Sequence, residues 1–304
     1  MSVIEVRGLE KVYRRLRRPP ERALDGLDLD VPEGGVFGFL GPNGSGKTTT
    51  IRGLLGLIRA DAGEMKLLGR RVPDDLSRVV SSVGALVETP QFFPTFSGRV
   101  NLGLLARTAG VPPGRVDECL EIVGLRDRAR DKYKGYSLGM KQRLGIAAAL
   151  LKKPRLLILD EPSNGLDPAG IREVRELLKN LGGQPDTTVF LSSHLLGEVQ
   201  QICDRVAILA RGRCVASGQV SEVLASRSPS WLRVRLDDLA SGGEVLTRAG
   251  FTVSQVDGAL RLDNVAEPAA VTRVLAEQGL YLSELTPLGI DLETVFLDLT
   301  KEQS

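Results

Sequence analysis

One short stretch, Gly41-Pro-Asn-Gly-Ser-Gly-Lys-Thr-Thr49, constrains the fold of this 304-residue chain more than any other feature. It fits the pattern G-x-x-x-x-G-K-[ST]. The residues before it, Val36–Leu40, form an apolar run typical of a buried strand, and the apolar spacing from Thr48 to Ile58 predicts a helix. Strand, glycine-rich loop and helix in this order predict an α/β domain with a phosphate-binding loop at the start of that helix.

The residue types in this loop suit the chemistry of phosphate binding. Glycines let successive backbone N–H groups close around phosphate oxygens, and the helix N-terminus adds a partial positive charge. Lys47 is expected to reach the β- and γ-phosphates, and the Thr48 hydroxyl is expected to hold Mg²⁺. A chance glycine-rich turn is the alternative, and the motifs that follow make it less plausible. The predicted nucleotide-binding residues of the loop are Gly41, Asn43, Gly44, Ser45, Gly46, Lys47, Thr48 and Thr49.

Two adjacent acids, Asp160 and Glu161, follow the apolar run Leu156–Leu159, which is typical of a short strand buried on both faces. Ligands bind at the carboxyl ends of strands in open α/β sheets. We expect Asp160 to hold Mg²⁺, directly or through water, and Glu161 to accept a proton from the attacking water or to orient it. Pro162 keeps both carboxylates at the strand end, because it prevents a helix from continuing at once. The alternative is a pair of solvated acids in a turn.

Composition argues against several other classes of protein. A hydrophobic content of 42% supplies a full core, and a formal net charge of +2 gives no reason to expect a nucleic-acid partner. Cys119, Cys203 and Cys214 are far apart and odd in number, which argues against a disulfide framework or a zinc site and favours a reducing cytosol. The sequence has no apolar leader and no uncharged apolar run of about 18 residues, so it predicts neither secretion nor membrane spanning.

The order of predicted elements indicates two domains. Strands alternate with helices up to about residue 225, which predicts a parallel sheet. Apolar residues recur at helical spacing from Ser97 to about Leu151, which predicts an all-helical insertion. We therefore predict a nucleotide-binding domain at 1–225, with a helical subdomain at about 92–151, and a small α+β accessory domain at 226–304 that begins with a linker at 226–230.

The same patterns predict individual elements. The further predicted strands are Ser2–Val12, Ala23–Val31, Leu67–Val72, Val79–Glu88, Thr187–Ser192 and Val206–Ala210. The further predicted helices are Ile171–Leu181 and Leu195–Cys203. The small domain is predicted to run β-α-β-β-α-β and to close with a helix. One apolar face of that closing helix, expected to pack on the body of the protein or on a second copy, carries Leu292, Val295, Phe296 and Leu299.

With these motifs in place, the chain resembles the nucleotide-binding subunits of ATP-binding cassette (ABC) transporters over residues 1 to about 225. The segment Tyr136-Ser-Leu-Gly-Met-Lys-Gln-Arg143 is similar to the family's signature sequence, usually LSGGQ. Leu138 stands in place of a glycine and Met140 in place of a glutamine, departures that are similar to a sub-group of drug and antibiotic exporters. The resemblance implies a P-loop NTPase ABC cassette, with a mixed sheet core plus a helical subdomain, and ATP and Mg²⁺ as cofactors.

The resemblance also implies roles for single residues. Ser137 and the Gly139 N–H would contact the γ-phosphate held by the opposite subunit of a homodimer. Asp167 ends Ser163-Asn-Gly-Leu-Asp167, which resembles the D-loop that links the two ATP sites. His194, the only histidine, matches the switch histidine that hydrogen-bonds the γ-phosphate and the attacking water, and Tyr13 matches the aromatic that stacks on adenine. By residue type alone, a lone histidine is more often structural and a tyrosine there is an ordinary strand-end residue.

One position departs from the family pattern more seriously. Aligning Val83-Gly-Ala-Leu-Val87 with that pattern puts Glu88 where most members carry the Q-loop glutamine, and Gln91 stands three residues later. A carboxylate can still ligate Mg²⁺ or its water, but it cannot donate the amide hydrogen bonds of glutamine. We therefore expect Glu88 to contact nucleotide and metal at this position, with Gln91 as the alternative.

The leading functional hypothesis is an ATP-hydrolysing subunit that pairs with a second copy around two Mg-ATP molecules. The resemblance implies that it powers a separate transmembrane permease at the inner face of the cell membrane and exports a drug, antibiotic or lipid-like compound. The predicted catalytic residues are Lys47, Glu161 and His194, and the predicted metal ligands are Thr48, Asp160 and Glu88.

Two alternatives stay open. A soluble ABC ATPase acting on nucleic acid or ribosomes typically has two cassettes or a long coiled coil, whereas the 113 positions from Lys47 to Asp160 hold an ordinary helical subdomain. An importer ATPase with a C-terminal regulatory domain is harder to exclude, because the small domain has no motif that assigns it a role. The sequence does not identify the transported compound.

Overall fold

The structure is a computed structural model that describes residues 1–14, 19–88, 90–225, 231–263, 265, 267–288, 292, 295 and 296. The chain divides into two compact units, Met1–Val220 and Ser221–Ser304. The predicted linker at 226–230 lies outside the described residues. The predicted domain boundary at that linker therefore stays a prediction.

Two sheets form the framework of the first unit. Its described strands are β1 (Ser2–Tyr13), β2 (Glu21–Pro32), β3 (Val36–Leu40), β4 (Ala62–Leu67), β5 (Arg70–Val72), β6 (Val83–Leu86), β7 (Leu156–Asp160), β8 (Thr188–Ser193), β9 (Arg205–Ala210) and β10 (Arg213–Gln219). One sheet is antiparallel, in the order β2-β1-β4-β5. The other has the order β10-β9-β3-β8-β7-β6 and is parallel except where β10 pairs with β9. The predicted mixed-sheet core is confirmed.

Helices occupy the connections between these strands. They are α1 (Lys47–Leu54), α2 (Leu76–Val79), α3 (Gly98–Thr108), α4 (Gly114–Ile122), α5 (Leu138–Leu150), α6 (Pro168–Gly182) and α7 (Leu196–Ile202), with α8 (Val220–Ala225) at the division between the units. Short 3₁₀ helices lie at Val80–Ser82 and Tyr133–Gly135. The helices α3, α4 and α5 occupy the segment that the sequence predicts to be helical, and they contact one another.

The central strand β3 is buried at every position. Phe37 and Phe39 join the core that the two sheets share with α1, and their ring centroids lie 5.9 and 5.4 Å from that of Phe190 in β8. Gly38 points to the opposite face, where a Cβ would lie 2.6 Å from Cγ1 of Val199 in α7. Because strand side chains alternate between faces, this pattern lets one helix pack very closely on β3.

The register of three neighbouring parallel strands determines where the candidate site lies. β8 pairs with β3 on one side and with β7 on the other, so that Leu40 lies opposite Ser193 and Asp160 lies opposite Ser192. The carboxyl ends of parallel strands meet at one edge of a sheet. The phosphate-loop motif after Leu40, the two acids after β7 and the histidine after β8 therefore converge at that edge.

The second unit is a small α+β fold. Its described elements are β11 (Trp231–Leu236), α9 (Leu239–Arg248), β12 (Thr252–Val256), β13 (Ala259–Asp263), α10 (Pro268–Glu277) and β14 (Leu282–Leu288). They form an antiparallel sheet in the order β12-β13-β11-β14, which is the arrangement of ferredoxin-like folds. The predicted β-α-β-β-α-β order is confirmed. In the predicted closing helix, Leu292 and Val295 are buried, and Leu299 lies outside the described residues.

Three local predictions in the first unit are wrong. The helix predicted to reach Ile58 ends at Leu54, because Gly56 adopts a φ of 68° and turns the chain. The strand predicted at 67–72 contains a tight turn between β4 and β5, where Leu68 and Gly69 both have positive φ. Only β6 forms within the strand predicted at 79–88. The residues before β6 form a short helix and a 3₁₀ turn instead.

The sequence also gives no prediction of β10. All its residues are intermediate or exposed, so the apolar alternation that marks a half-buried strand is missing. Its pairing with β9 at the sheet edge is a tertiary contact that local sequence does not encode.

Gly84 in β6 lies so close to the end of α5 that no methyl group fits. A Cβ there would lie 2.2 Å from the Ala149 carbonyl oxygen and 3.0 Å from Cγ of Pro154. We expect Gly84→Ala to lower the free energy of unfolding of the first unit by about 1–3 kcal/mol, because backbone must shift to admit the methyl group. The shift of the urea unfolding midpoint, followed by circular dichroism, measures this change.

The matched control is Gly103→Ala in α3. A Cβ at Gly103 would have no neighbour within 4 Å, and alanine is favoured over glycine in a helix by about 1 kcal/mol. The control should unfold at the same or a higher urea concentration. Equal destabilisation by both substitutions would contradict the steric argument.

Candidate active site

The loop between β3 and α1 is a tightly packed cradle at a helix N-terminus. Gly44 and Gly46 have φ values of 81° and 110°, which glycine adopts without strain. A Cβ at Gly41 would lie 2.6 Å from the Leu209 carbonyl oxygen. Because α1 begins at Lys47, its first N–H groups have no acceptor within the helix. The loop therefore offers backbone donors to an anion, as the motif predicts.

Ser45 in this loop carries an unsatisfied hydroxyl. Its side chain is buried, and its Oγ has no hydrogen-bond partner among the described residues. Leaving a buried hydroxyl without a partner costs about 1–3 kcal/mol. A phosphate oxygen would accept its hydrogen bond. The unpaired hydroxyl and the glycine cradle both fit a nucleotide phosphate.

Lys47 carries a buried positive charge directly over this loop. Its Nζ donates to the Gly41 carbonyl oxygen at 2.7 Å and to the Pro42 carbonyl oxygen at 3.3 Å. It also lies 3.3 Å from Oε1 of Glu161. A buried ammonium group requires such partners, since leaving it unpaired is very costly. A phosphate can replace the Glu161 carboxylate as its counter-ion.

A single hydroxyl fixes the two acids at the end of β7. Ser192 Oγ donates to Oδ1 of Asp160 at 2.5 Å and accepts from the Glu161 N–H at 2.9 Å. Glu161 itself has a φ of 49°, a conformation that non-glycine residues adopt rarely and that is found at functional sites. The two carboxylates therefore separate: Asp160 is buried at the sheet edge, and Glu161 lies beside Lys47.

Glu161 also contacts His194. The distance from Nδ1 of His194 to Oε2 of Glu161 is 2.8 Å, and the two side chains are 31% and 19% exposed. One oxygen of the carboxylate thus lies near Lys47 and the other near the imidazole. The arrangement orients Glu161 while leaving part of it open to water, as a general base requires.

A cavity of about 400 Å³ lies over these groups. It contains the predicted stacking residue Tyr13, whose hydroxyl lies 3.5 Å from Oγ1 of Thr49. The predicted site residues that line it are Tyr13, Asn43, Gly44, Gly46, Lys47, Thr48, Thr49, Glu161 and His194. The structure therefore brings together residues from β1, the phosphate-loop motif and the ends of β7 and β8.

A second cavity, of about 330 Å³, shares Thr48, Glu161 and Asn164 with the first. Glu88 and Asp160 also line it, so it collects one hydroxyl and three carboxylates. Mg²⁺ takes hard oxygen ligands and is usually held by one or two carboxylates together with phosphate oxygens. The donor set at this cavity fits a nucleotide-bound Mg²⁺.

Comparison with known proteins decides the family. The sequence model of the family described as ABC transporter matches residues 24–164. An uncharacterized ABC transporter ATP-binding protein of Bacillus subtilis (strain 168), YhcH, is 38% identical over 302 residues, which cover 99% of this chain and 97% of that protein. The chain belongs to the ABC transporter family.

Further likenesses support the assignment. The bacitracin transport ATP-binding protein BcrA of Bacillus licheniformis is 36% identical over 304 residues, covering 98% of this chain and 97% of that protein. The daunorubicin resistance ATP-binding protein DrrA3 of Streptomyces coeruleorubidus is 36% identical over 309 residues, covering 98% and 96%. The solved structure of cbiO1 from Clostridium perfringens, described as part of the ABC transporter complex cbiONQ, matches 74% of this chain and 92% of that chain, with a TM-score of 0.66 and 27% identity.

These findings confirm three predictions. The fold is a P-loop NTPase ABC cassette, the chain is an ATP-binding and ATP-hydrolysing ABC subunit, and its relatives include proteins named for bacitracin transport and daunorubicin resistance, consistent with the sub-group that the sequence resembles. The roles of individual site residues stay predictions, because the geometry places the residues without testing what they bind.

The signature segment of this ABC cassette lies at the start of α5. Ser137 caps the helix, with its Oγ accepting from the Met140 N–H at 3.2 Å. A Cβ at Gly139 would find its nearest neighbour at 3.8 Å, an ordinary contact, so packing within one copy does not require glycine there. Asp167 likewise caps α6, with Oδ1 accepting from the Gly170 N–H at 3.0 Å. None of the three lines the cavity above Lys47.

The structure separates the two candidates for the Q-loop role in this ABC cassette. Glu88 lines the second cavity together with Thr48 and Asp160, and its carboxylate pairs with Arg52. Gln91 is exposed and lines neither of the two cavities. Position therefore favours Glu88, although the metal contact itself stays a prediction.

Sequence reasoning missed several polar residues of the site. Ser192 lies in β8, and its hydrogen bond with Asp160 depends on the register of the strands. Arg52 lines the cavity above Lys47 but belongs to no sequence motif. Glu198, in α7, follows His194 by four positions and is half-buried. Burial raises the pKa of the Glu198 carboxyl, and a hydrogen bond with Ser163 acts in the opposite direction. The only available signal was the spacing of Glu198 from the histidine.

The hydroxyl of Ser192 generates a testable prediction. We expect Ser192→Ala to lower the ATPase kcat by about 10- to 100-fold, because both acids lose the group that fixes them, a barrier change of about 1.4–2.7 kcal/mol. Steady-state phosphate release at saturating ATP measures kcat.

Thr188→Ala provides the control on the same strand. Its buried hydroxyl accepts from the Gly34 N–H at 2.8 Å at the other end of β8. It should lose comparable stability but keep kcat within about twofold. If the two variants lose the same fraction of kcat, Ser192 has only a structural role.

Proposed function

We propose that two copies of this chain close around two Mg-ATP molecules and power a separate transmembrane permease that exports a drug, antibiotic or lipid-like compound. The observation that carries this proposal is the position of the Glu161 carboxylate between Lys47 and His194, at the edge of a phosphate-binding cradle. That arrangement provides a base, a cation for the phosphates and a polar group that orients the base. It suits phosphoryl transfer to water by positioning and electrostatics.

The cradle would bind the phosphates before any chemistry occurs. The N–H groups of the loop and of α1 donate to phosphate oxygens, and the Ser45 hydroxyl gains the acceptor that it lacks. The Lys47 ammonium, already held by two loop carbonyls, faces the β- and γ-phosphates. Stacking of adenine on Tyr13 would complete binding at the other end of the cavity.

Thr48 and Asp160 would hold Mg²⁺ beside these phosphates, with Glu88 lining the same cavity. When bound, the metal neutralises charge on the phosphate oxygens. The Ser192 hydrogen bond keeps Asp160 in place for this contact. The buried position of Asp160 prevents it from turning to solvent.

Glu161 would accept the proton of the attacking water. As long as its Oε1 lies 3.3 Å from Nζ of Lys47, that oxygen is held by the ammonium group and does not accept from water. A phosphate that takes over Lys47 leaves Glu161 free to bind water, while Nδ1 of His194 keeps it oriented. The base is thus activated by the substrate that it is to hydrolyse.

A second copy would complete the site. Gly139 has room for a side chain within one copy. Close contact of its backbone with the nucleotide of a second copy would explain a glycine at this position. Ser137 at the same helix start provides a hydroxyl and, with Gly139, the N-terminus of α5 for an anion. These features support a homodimer in which this segment reaches the γ-phosphate bound by the partner.

Other observations support the proposed permease partner and the proposed class of transported compound. None of the described helices has the length and apolar character needed to cross a bilayer. An apolar patch of exposed side chains, Phe93, Phe96 and Val100, lies shortly after Glu88 and supports a protein partner near that loop. Relatives named for bacitracin transport and daunorubicin resistance support export as the direction and a drug or antibiotic as the cargo. The cassette would then lie at the inner face of the cell membrane.

Glu161→Gln tests the base and the dimer together. The amide keeps the shape and the contact with His194 but does not take a proton, so we expect ATP to bind while turnover falls by about 100-fold or more. Unhydrolysed ATP should then hold two copies together. Size-exclusion chromatography with multi-angle light scattering should show a dimer with Mg-ATP and a monomer without nucleotide.

Lys47→Ala is the contrasting variant. It removes the charge opposite the β- and γ-phosphates, so ATP binding should be lost and no nucleotide-dependent dimer should form in the Glu161→Gln background. Wild-type turnover in Glu161→Gln would place the base elsewhere. ATP-dependent dimers in the double variant would refute the assigned role of Lys47.

A further inference from the structure

An ion pair joins the phosphate-loop helix to the Q-loop position. Arg52 in α1 contacts the Glu88 carboxylate through Nη2. Arg52 lies one helical turn after Thr48, so the two side chains share a face of α1. Thr48, Glu88 and Asp160 line one cavity. The pair therefore holds the Glu88 carboxylate beside the proposed metal site.

Arg52 and Glu88 line different halves of the nucleotide site. Arg52 lines the cavity above Lys47, whereas its partner Glu88 lines the cavity with Asp160. Glu88, two positions after the end of β6, has a φ of 65°, a left-handed conformation. A non-glycine residue adopts this conformation at some cost, which other contacts must offset. The contact with Arg52 is one such contact.

The pair depends on the departure of this chain from the family pattern. A glutamine at position 88 would carry no charge and would form at most a neutral hydrogen bond with Arg52. A carboxylate attracts the guanidinium and also attracts Mg²⁺, since both are cations that bind carboxylate oxygens. The two cations therefore compete for the same oxygens.

We propose that Arg52 is a positioning residue that holds Glu88 in the nucleotide-free protein and competes with Mg²⁺ for its carboxylate. The inference rests on the proposed function, in which Glu88 lies at the metal site. Arg52 releases the carboxylate when metal and nucleotide arrive together. The side chains of Arg52 and Glu88 are 37% and 62% exposed, so the pair is weak enough to be broken by a metal ion.

The strength of the pair sets the size of the effect. Exposed ion pairs contribute little, and breaking one changes an equilibrium by about two- to fivefold. Arg52 therefore tunes the Mg²⁺ dependence of nucleotide binding without controlling whether nucleotide binds.

A double-mutant cycle on the full chain tests this proposal. The proteins are the wild type, Arg52→Gln, Glu88→Gln and the double variant, and the probe is a fluorescent ATP analogue bound at increasing Mg²⁺. Arg52→Gln should lower the Mg²⁺ concentration at half-maximal binding by about two- to fivefold, because Glu88 is freed. Glu88→Gln should raise it. In the Glu88→Gln background, replacing Arg52 should have little further effect, because no carboxylate is left to release.

Two controls accompany the cycle. Arg52→Lys keeps the charge and should stay close to the wild type. Arg126→Gln removes an exposed partner of Glu121, a pair with side chains 66% and 64% exposed, and it should leave the Mg²⁺ midpoint unchanged. The second control shows that loss of a surface arginine alone does not shift the midpoint.

The other outcomes overturn the proposal. Equal shifts in both backgrounds would show that Arg52 acts only through its general charge. A higher Mg²⁺ midpoint in Arg52→Gln would show that Arg52 binds a nucleotide phosphate instead. An unchanged midpoint would show that the pair has no influence. These results differ from failure of the proposed function, in which the wild type would bind no ATP analogue at any Mg²⁺ concentration.

Discussion

The buried positive charge of Lys47 is the constraint on which the site depends. An ammonium group with 6% of its side chain exposed must be neutralised by nearby oxygens, because the energetic cost of an isolated buried charge exceeds the stability of most proteins. Two loop carbonyls and the Glu161 carboxylate supply these oxygens. The charge that requires these oxygens thus gives phosphate a site that is already formed.

The fold supplies this neutralisation through strand order. β8 lies between β3 and β7, so the loop after β3 and the acids after β7 lie on either side of one strand. Ser192 at the end of that strand fixes both acids through one hydroxyl. Glu161 then turns away from Asp160 into a left-handed conformation. The two neighbouring carboxylates therefore lie in different positions. The strand order, the Ser192 hydroxyl and the left-handed conformation of Glu161 together produce this separation.

Sequence reasoning found the parts of the site that are encoded locally. The phosphate loop and the Asp160–Glu161 pair each occupy a short stretch in which residue type, spacing and the neighbouring strand or helix agree. Ser192 and Arg52 were missed because their partners are 32 and 36 positions away in sequence, and their contacts exist only once the strands are in register. The strand predicted at 79–88 failed for a related reason, since short apolar runs fit a strand and a helical turn equally well.

The Arg52–Glu88 pair shows how a departure from a family pattern can be compensated within the site. Replacing a neutral glutamine by Glu88 adds a negative charge to a cavity that already contains Asp160 and Glu161, and like charges repel each other. Arg52, one turn after Thr48, pairs with Glu88. Its positive charge offsets the negative charge that Glu88 adds. Transfer of the carboxylate from Arg52 to the metal then has a modest energetic cost, because an exposed ion pair is weak. A lone glutamate at this position would add the negative charge without a neighbouring cation to offset it.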